Sequence, residues 1–139
     1  MIEFGQQILA AQPFSTFLGT ELIRFEQGLA ELRLTLKPEH MQQHGFAHGG
    51  VVAYMADNAL TYAGGSVLGG NVLTLEIKVN YTRPAIGEAL IARASVVSSG
   101  RTQAVCRCDV FAVANDGREK LCAAAQGTIV PIPAQKSGK

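Results

Sequence analysis

Asp57 is the only charged group between His48 and Glu76. Its neighbours from Val51 to Ala63 are otherwise apolar or neutral. Enclosing an unpaired carboxylate in such surroundings costs on the order of a few kcal/mol. A carboxylate kept there is suited to act as a nucleophile or general base. The plain alternative is a structural acid that accepts hydrogen bonds from nearby groups. The residues ahead of it point to acyl chemistry. Gly49 and Gly50 stand where a helix should begin, so their backbone N–H groups are free and the helix dipole adds partial positive charge. Without Cβ atoms, a ligand carbonyl can come close. That is the composition of an oxyanion site.

Other side chains near this segment have two readings each. Gln42 is either a second donor to the same carbonyl or a solvated loop residue. Thr61 lies one helical turn after Asp57, on the same face. Its hydroxyl either orients the carboxylate or bonds back to the carbonyl of residue 57. Asn58 is a candidate for the wall of a substrate pocket. His40, His44 and His48 stand four apart, but glycines break any helix there and no acid or thiol joins them. Metal binding is therefore not expected, and His48 is assigned to ordering the loop. No Gly-x-Ser-x-Gly elbow is present. The three cysteines, Cys106, Cys108 and Cys122, fall in strand-like patterns and read as small hydrophobes.

Distance restricts how these groups combine. Gly49 and Asp57 are eight residues apart, about 12 Å of helix rise. A carbonyl carbon under attack must lie roughly 3–3.5 Å from its nucleophile. One helix cannot present both groups to one acyl carbon. Two antiparallel helices related by a two-fold axis can, so this chemistry requires a homodimer.

The positioning elements follow from periodicity and turn residues. A short helix is expected over 6–11, stopped near Pro13. Strands are expected at 21–25 and 29–36 around Gln27-Gly28, where Leu32, Leu34 and Leu36 alternate with polar residues. A loop fills 38–47. The neutral helix runs over 49–66, with Gly64-Gly65 and Gly69-Gly70 ending it. Four antiparallel strands follow at 72–82, 88–98, 102–114 and 120–130, with Asn115-Asp116-Gly117 as a hairpin turn. The order gives an α+β fold with one sheet round one helix. The 139 residues suit a single domain, with a core over 15–132, an N-terminal extension over 1–14 and a polar tail at 133–139.

Composition limits the partners. The chain is 47% hydrophobic and 17% charged, with a net charge of +1. Nucleic acid and anionic membrane are poor fits, while a covering subunit is a good one. The stretch 51–68 is long enough to raise a membrane span, but Asp57 and Gly64-Gly65 interrupt it. Residues 1–7 lack the basic region of a secretory signal. Three cysteines, an odd number, fit a reducing, cytoplasmic setting.

His48-Gly49-Gly50, with Asp57 nine residues after the histidine, and the segment from Thr74 to Ala85 ending Tyr-x-x-Pro-Ala together resemble the PaaI-like, 4HBT-type hotdog acyl-CoA thioesterases. The resemblance covers roughly residues 15 to 132. It implies a hotdog fold, a long central helix wrapped by a curved antiparallel sheet of about six strands. It also implies dimers, often paired into tetramers, with sites shared between subunits. Asp57 matches the family's catalytic carboxylate and Gly49 its backbone donor, beside His48 and Gly50. Gln42 matches its assisting amide. Thr61 and Thr74 match hydroxyls used in two different branches.

The expected reaction is hydrolysis of an acyl-CoA to a carboxylic acid and free CoA, with no cofactor. Arg83 and Arg101 are candidates for the CoA phosphates. Two rival readings stand beside it: a hydratase or dehydratase on the same fold, using His44 or His48, and a non-catalytic acyl-CoA-binding module.

Overall fold

The computed structural model describes residues 1–133, and the expected tail at 133–139 lies outside the described residues from 134 onward. Two short helices, α1 (Ile2–Ala10) and α2 (Pro13–Leu18), precede strands β1 (Glu21–Glu26) and β2 (Leu29–Thr35). The long helix α3 spans Gly49–Leu68. Strands β3 (Val72–Tyr81), β4 (Ala89–Ser99), β5 (Ala104–Val113) and β6 (Glu119–Pro131) follow. All pairings are antiparallel, in the order β1-β2-β4-β5-β6-β3. The sheet wraps α3, which buries Met55, Ala56, Ala59, Leu60 and Ala63 completely against Leu32, Leu34, Leu90, Val110 and Ile129. This is the hotdog arrangement that the resemblance implies.

Three local expectations need correction. Pro13 does not stop a helix but starts α2. The first helical position has no N–H partner to lose, and proline's fixed φ suits it. Gly64 and Gly65 do not end α3, which continues to Leu68. A Cβ on Gly64 would meet Ile129 at 2.7 Å, so this glycine permits close helix–sheet approach instead. The helix stops at Gly69, whose φ of 73° is in the left-handed region that glycine tolerates. The short helix expected over 6–11 is α1, which starts earlier, at Ile2, and ends at Ala10. Gly5 of α1 packs so closely on Leu22 and Phe25 that a Cβ would lie 2.5 Å from Leu22.

The feature of β3 that matters most is a bulge. Thr74 pairs with Ile129 and Glu76 with Thr128, leaving Leu75 as an extra residue. A regular strand would put Leu73, Leu75, Ile77 and Val79 on one face. The bulge breaks that phase. Ile77 and Val79 pack toward the core, whereas Leu73 and Leu75 are 56% and 66% exposed. Thr74 is thereby turned inward, toward α3.

Candidate active site

Asp57 lies half-buried in the middle of α3. Thr74 Oγ1 donates to Asp57 Oδ1 at 2.5 Å. The carboxylate has no ion pair among the described residues. Thr61 makes no hydrogen bond to it. The Thr61 hydroxyl bonds back to the carbonyls of Asp57 (2.7 Å) and Asn58 (2.8 Å). Of the two candidate hydroxyls, Thr74 is the one brought to the carboxylate, and the bulge at Leu75 is what brings it.

At the N-terminus of α3, first-turn amides find acceptors with one exception. His48 is the N-cap, and its Nδ1 accepts from the Gly50 N–H at 2.8 Å. The His48 carbonyl accepts from Val51 and Val52 at 3.0 and 3.2 Å. That leaves the Gly49 N–H without an acceptor among the described residues. Gly50, singled out with Gly49 as a substrate-binding candidate, therefore spends its amide within the chain. It has a steric role instead, because a Cβ there would lie 3.0 Å from His48 Nδ1.

The open donor's own peptide, His48–Gly49, is held through the His48 carbonyl, and the peptide that follows it is held from two sides. Tyr81, the last residue of β3, donates its hydroxyl to the Gly49 carbonyl at 3.1 Å. The peptide joining Gly49 to Gly50 thus has its carbonyl fixed by Tyr81 and its N–H fixed by His48. A donor fixed in advance does not reorganise when charge develops on a bound carbonyl, which is the property an oxyanion site needs. In the sequence Tyr81 enters only through the Tyr-x-x-Pro-Ala motif. No local signal shows its contact with a residue 32 positions earlier.

Gln42 is half-buried in the loop before α3, where its amide N–H bonds the Phe46 carbonyl at 2.8 Å. Its side-chain Oε1 accepts the His44 N–H. With the oxygen engaged there, the side-chain NH2 has no acceptor among the described residues. His40 is buried, and its Nδ1 accepts the Lys37 N–H at 3.0 Å. The three histidines are thus not gathered round a common point, and no cluster of three metal-type side chains occurs among the described residues.

Asn58 turns away from the carboxylate. Its Nδ2 reaches Gln12, Ser15 and the Tyr54 hydroxyl at 3.2–3.3 Å. This network ties α2 to α3. Arg83 and Arg101 are both exposed and lie at opposite ends of the sheet. Arg83 follows Tyr81, beside the start of α3, while Arg101 is in the β4–β5 hairpin at the end where β3 begins. Within one chain they do not converge.

All three cysteines are buried and unpaired. Burial pushes the Cys106 and Cys122 thiols up to about 11 and the Cys108 thiol higher still. None is activated as a nucleophile. No helix among the described residues is long and apolar enough to cross a membrane.

The chain is similar to proteins of known or assigned activity. The medium/long-chain acyl-CoA thioesterase YigI of Escherichia coli is 29% identical, over 76% of this chain and 79% of its own. The structure of a thioesterase family protein from Silicibacter pomeroyi superposes with a TM-score of 0.85 at 36% identity, covering 89% of this chain and 92% of that one. The phenylacetic acid degradation protein PaaI of Thermus thermophilus superposes with a TM-score of 0.76 at 29% identity, covering 87% and 100%. The family model described as the thioesterase superfamily matches residues 44–117, from the loop before α3 to the β5–β6 turn, and so takes in both the lone carboxylate and the open glycine donor. This chain belongs to the thioesterase superfamily.

Proposed function

We propose that the protein is an acyl-CoA thioesterase whose sites are built across a two-fold dimer. The observation that carries this reading is the placement of two half-sites along β3. Thr74 near its start holds Asp57, and Tyr81 at its end holds Gly49. β3 is an edge strand of ten residues, with a free backbone edge that favours pairing with a second copy. Antiparallel self-pairing centred near Ile77 and Lys78 would set Thr74 of one chain opposite Tyr81 of the other. Each Asp57 would then meet the Gly49 of its partner, twice per dimer.

In this mechanism the Gly49 N–H, with the Gln42 amide, polarises the thioester carbonyl. Asp57 of the other chain attacks the carbonyl carbon or takes a proton from an attacking water. The CoA thiolate leaves, and water completes the carboxylic acid. Thr74 orients Asp57. The same pairing would bring Arg83 of one chain to the end of the sheet that carries Arg101 of the other, a pair suited to the CoA phosphates. No cofactor takes part. The unpaired cysteines fit a reducing, cytoplasmic setting, and pairing of dimers into tetramers would cover the exposed Leu73 and Leu75.

The hydratase reading is weaker because His48 Nδ1 is engaged as a cap and His44 is exposed. A binding module would have no use for an oriented carboxylate. Release of free thiol from a panel of acyl-CoAs tests the proposal. Asp57→Asn should abolish release and keep the dimer; undiminished release would refute it.

A further inference from the structure

A cavity of about 610 Å³ lies between α1, the second half of α3 and the start of β3. Its α3 wall runs from Asn58 and Thr61, in the turn that follows Asp57, to Gly69 at the end of the helix. From Asn58 to Gly69 is about 16 Å of helix. Phe4 and Ile8 of α1 form the facing wall. The volume is that of a small-molecule site.

The chemistry of the wall selects the occupant. The polar side chains that α3 places on it are already committed. Asn58 bonds α2, as described above. Thr61 bonds its own helix, and the Tyr62 hydroxyl donates to the Gly5 carbonyl at 2.8 Å. Ser66 Oγ donates to the Ala63 carbonyl at 2.6 Å and accepts the Gly28 N–H at 2.7 Å. A ligand rich in hydroxyls or charge would lose its hydration here without replacement bonds. A cavity lined largely by apolar groups, whose α3 wall offers no free side-chain donor, suits a hydrocarbon chain.

We infer that this cavity holds the acyl chain of the substrate, that α1 closes it, and that Gly65 sets how long a chain it accepts. This inference rests on the thioesterase reading. Gly65 lies midway along the wall, where a Cβ would come within 3.3 Å of Val72 Cγ2. Any side chain at 65 narrows the passage between α3 and β3. The substrates this cavity favours are acyl thioesters whose chains reach past Gly65.

The test is kcat/KM for straight-chain acyl-CoAs from butyryl to dodecanoyl, with wild type, Gly65→Leu and, from the opposite wall, Ile8→Trp. In the wild type each added methylene should raise kcat/KM about fourfold until the cavity is filled. Both variants should leave butyryl-CoA within twofold and lower dodecanoyl-CoA at least tenfold. A flat wild-type profile overturns the inference. So does unchanged dodecanoyl-CoA turnover in both variants while their circular dichroism matches wild type. Binding of a fluorescent straight-chain fatty acid separates this inference from the reading it rests on. If wild type cleaves no thioester but binds the probe, and Gly65→Leu does not, the cavity assignment stands and the hydrolase reading falls. If wild type neither cleaves nor binds, both fall.

Discussion

Thr74 donates a hydrogen bond to Asp57 across the gap between β3 and α3, and it does so only because Leu75 is bulged out of the strand. A hydrogen bond to a charged acceptor contributes roughly 1.5–3 kcal/mol. If that bond aims the carboxylate at the thioester, its loss appears in turnover.

Thr74→Val should lower kcat roughly ten- to a hundredfold with KM little changed. Thr61→Val removes a hydroxyl that bonds only the helix backbone, and its loss of kcat should be at least tenfold smaller. Steady-state kinetics on one acyl-CoA decide the matter. Equal losses would mean that the hydroxyl on the carboxylate has no special part.

The clamp on the Gly49–Gly50 peptide gives a second expectation. Tyr81→Phe keeps the ring against Gly49 and deletes one neutral hydrogen bond to its carbonyl. Such a bond contributes about 1 kcal/mol, so kcat should fall about fivefold at constant KM, with Tm shifted by only a few degrees. A change confined to KM would place Tyr81 in CoA binding instead.

The arginines are separable by kinetics too. Arg83→Glu and Arg101→Glu should each raise KM for acyl-CoA and leave kcat near wild type, because uniform binding of phosphate affects both ground and transition states. The rise should shrink with added salt. An unchanged KM in either variant removes that residue from the CoA site.

The buried thiols make a pH prediction. Cys106 and Cys122 titrate near 11 in the fold against an ordinary value of 9.0, and burial moves the Tyr62 hydroxyl from 10.0 to about 12. In the unfolded chain these groups ionise first, so unfolding is increasingly favoured as pH climbs. Their contribution is intact below pH 9 and is lost between about 9 and 12. Tm should be level from pH 7 to 8.5 and fall above pH 9. A disulfide reagent should find no reactive thiol in the native protein near pH 8 and three after denaturation.

Much of this could be read from the chain. A neutral helix with one acid and a Gly-Gly entry is a local pattern, and periodicity placed the long helix and the six strands to within a few residues. The hidden features depend on contacts between distant segments. Alternation in Leu73, Leu75, Ile77 and Val79 describes a regular strand, and only pairing with β6 shows that Leu75 is extra. Gly64 resembles a helix stop until Ile129 is seen against it. Gly49 and Gly50 are alike in sequence, yet the His48 side chain takes one amide and leaves the other open. Tyr81 and Gly49 meet only once the sheet has closed round α3.

The central claim is that Asp57 and Gly49 act together only across two chains. Two inactive variants test it. Asp57→Asn removes the acid. Gly49→Pro removes the open N–H at a first helical position that accepts proline, after a residue already extended with ψ of 138°. Each homodimer should be inactive. Co-refolding equal amounts makes half the dimers mixed, and each mixed dimer has one site with both groups intact, so about a quarter of wild-type activity should return. Mixtures as inactive as their parents, with mixed dimers demonstrated by mass, would contradict the account.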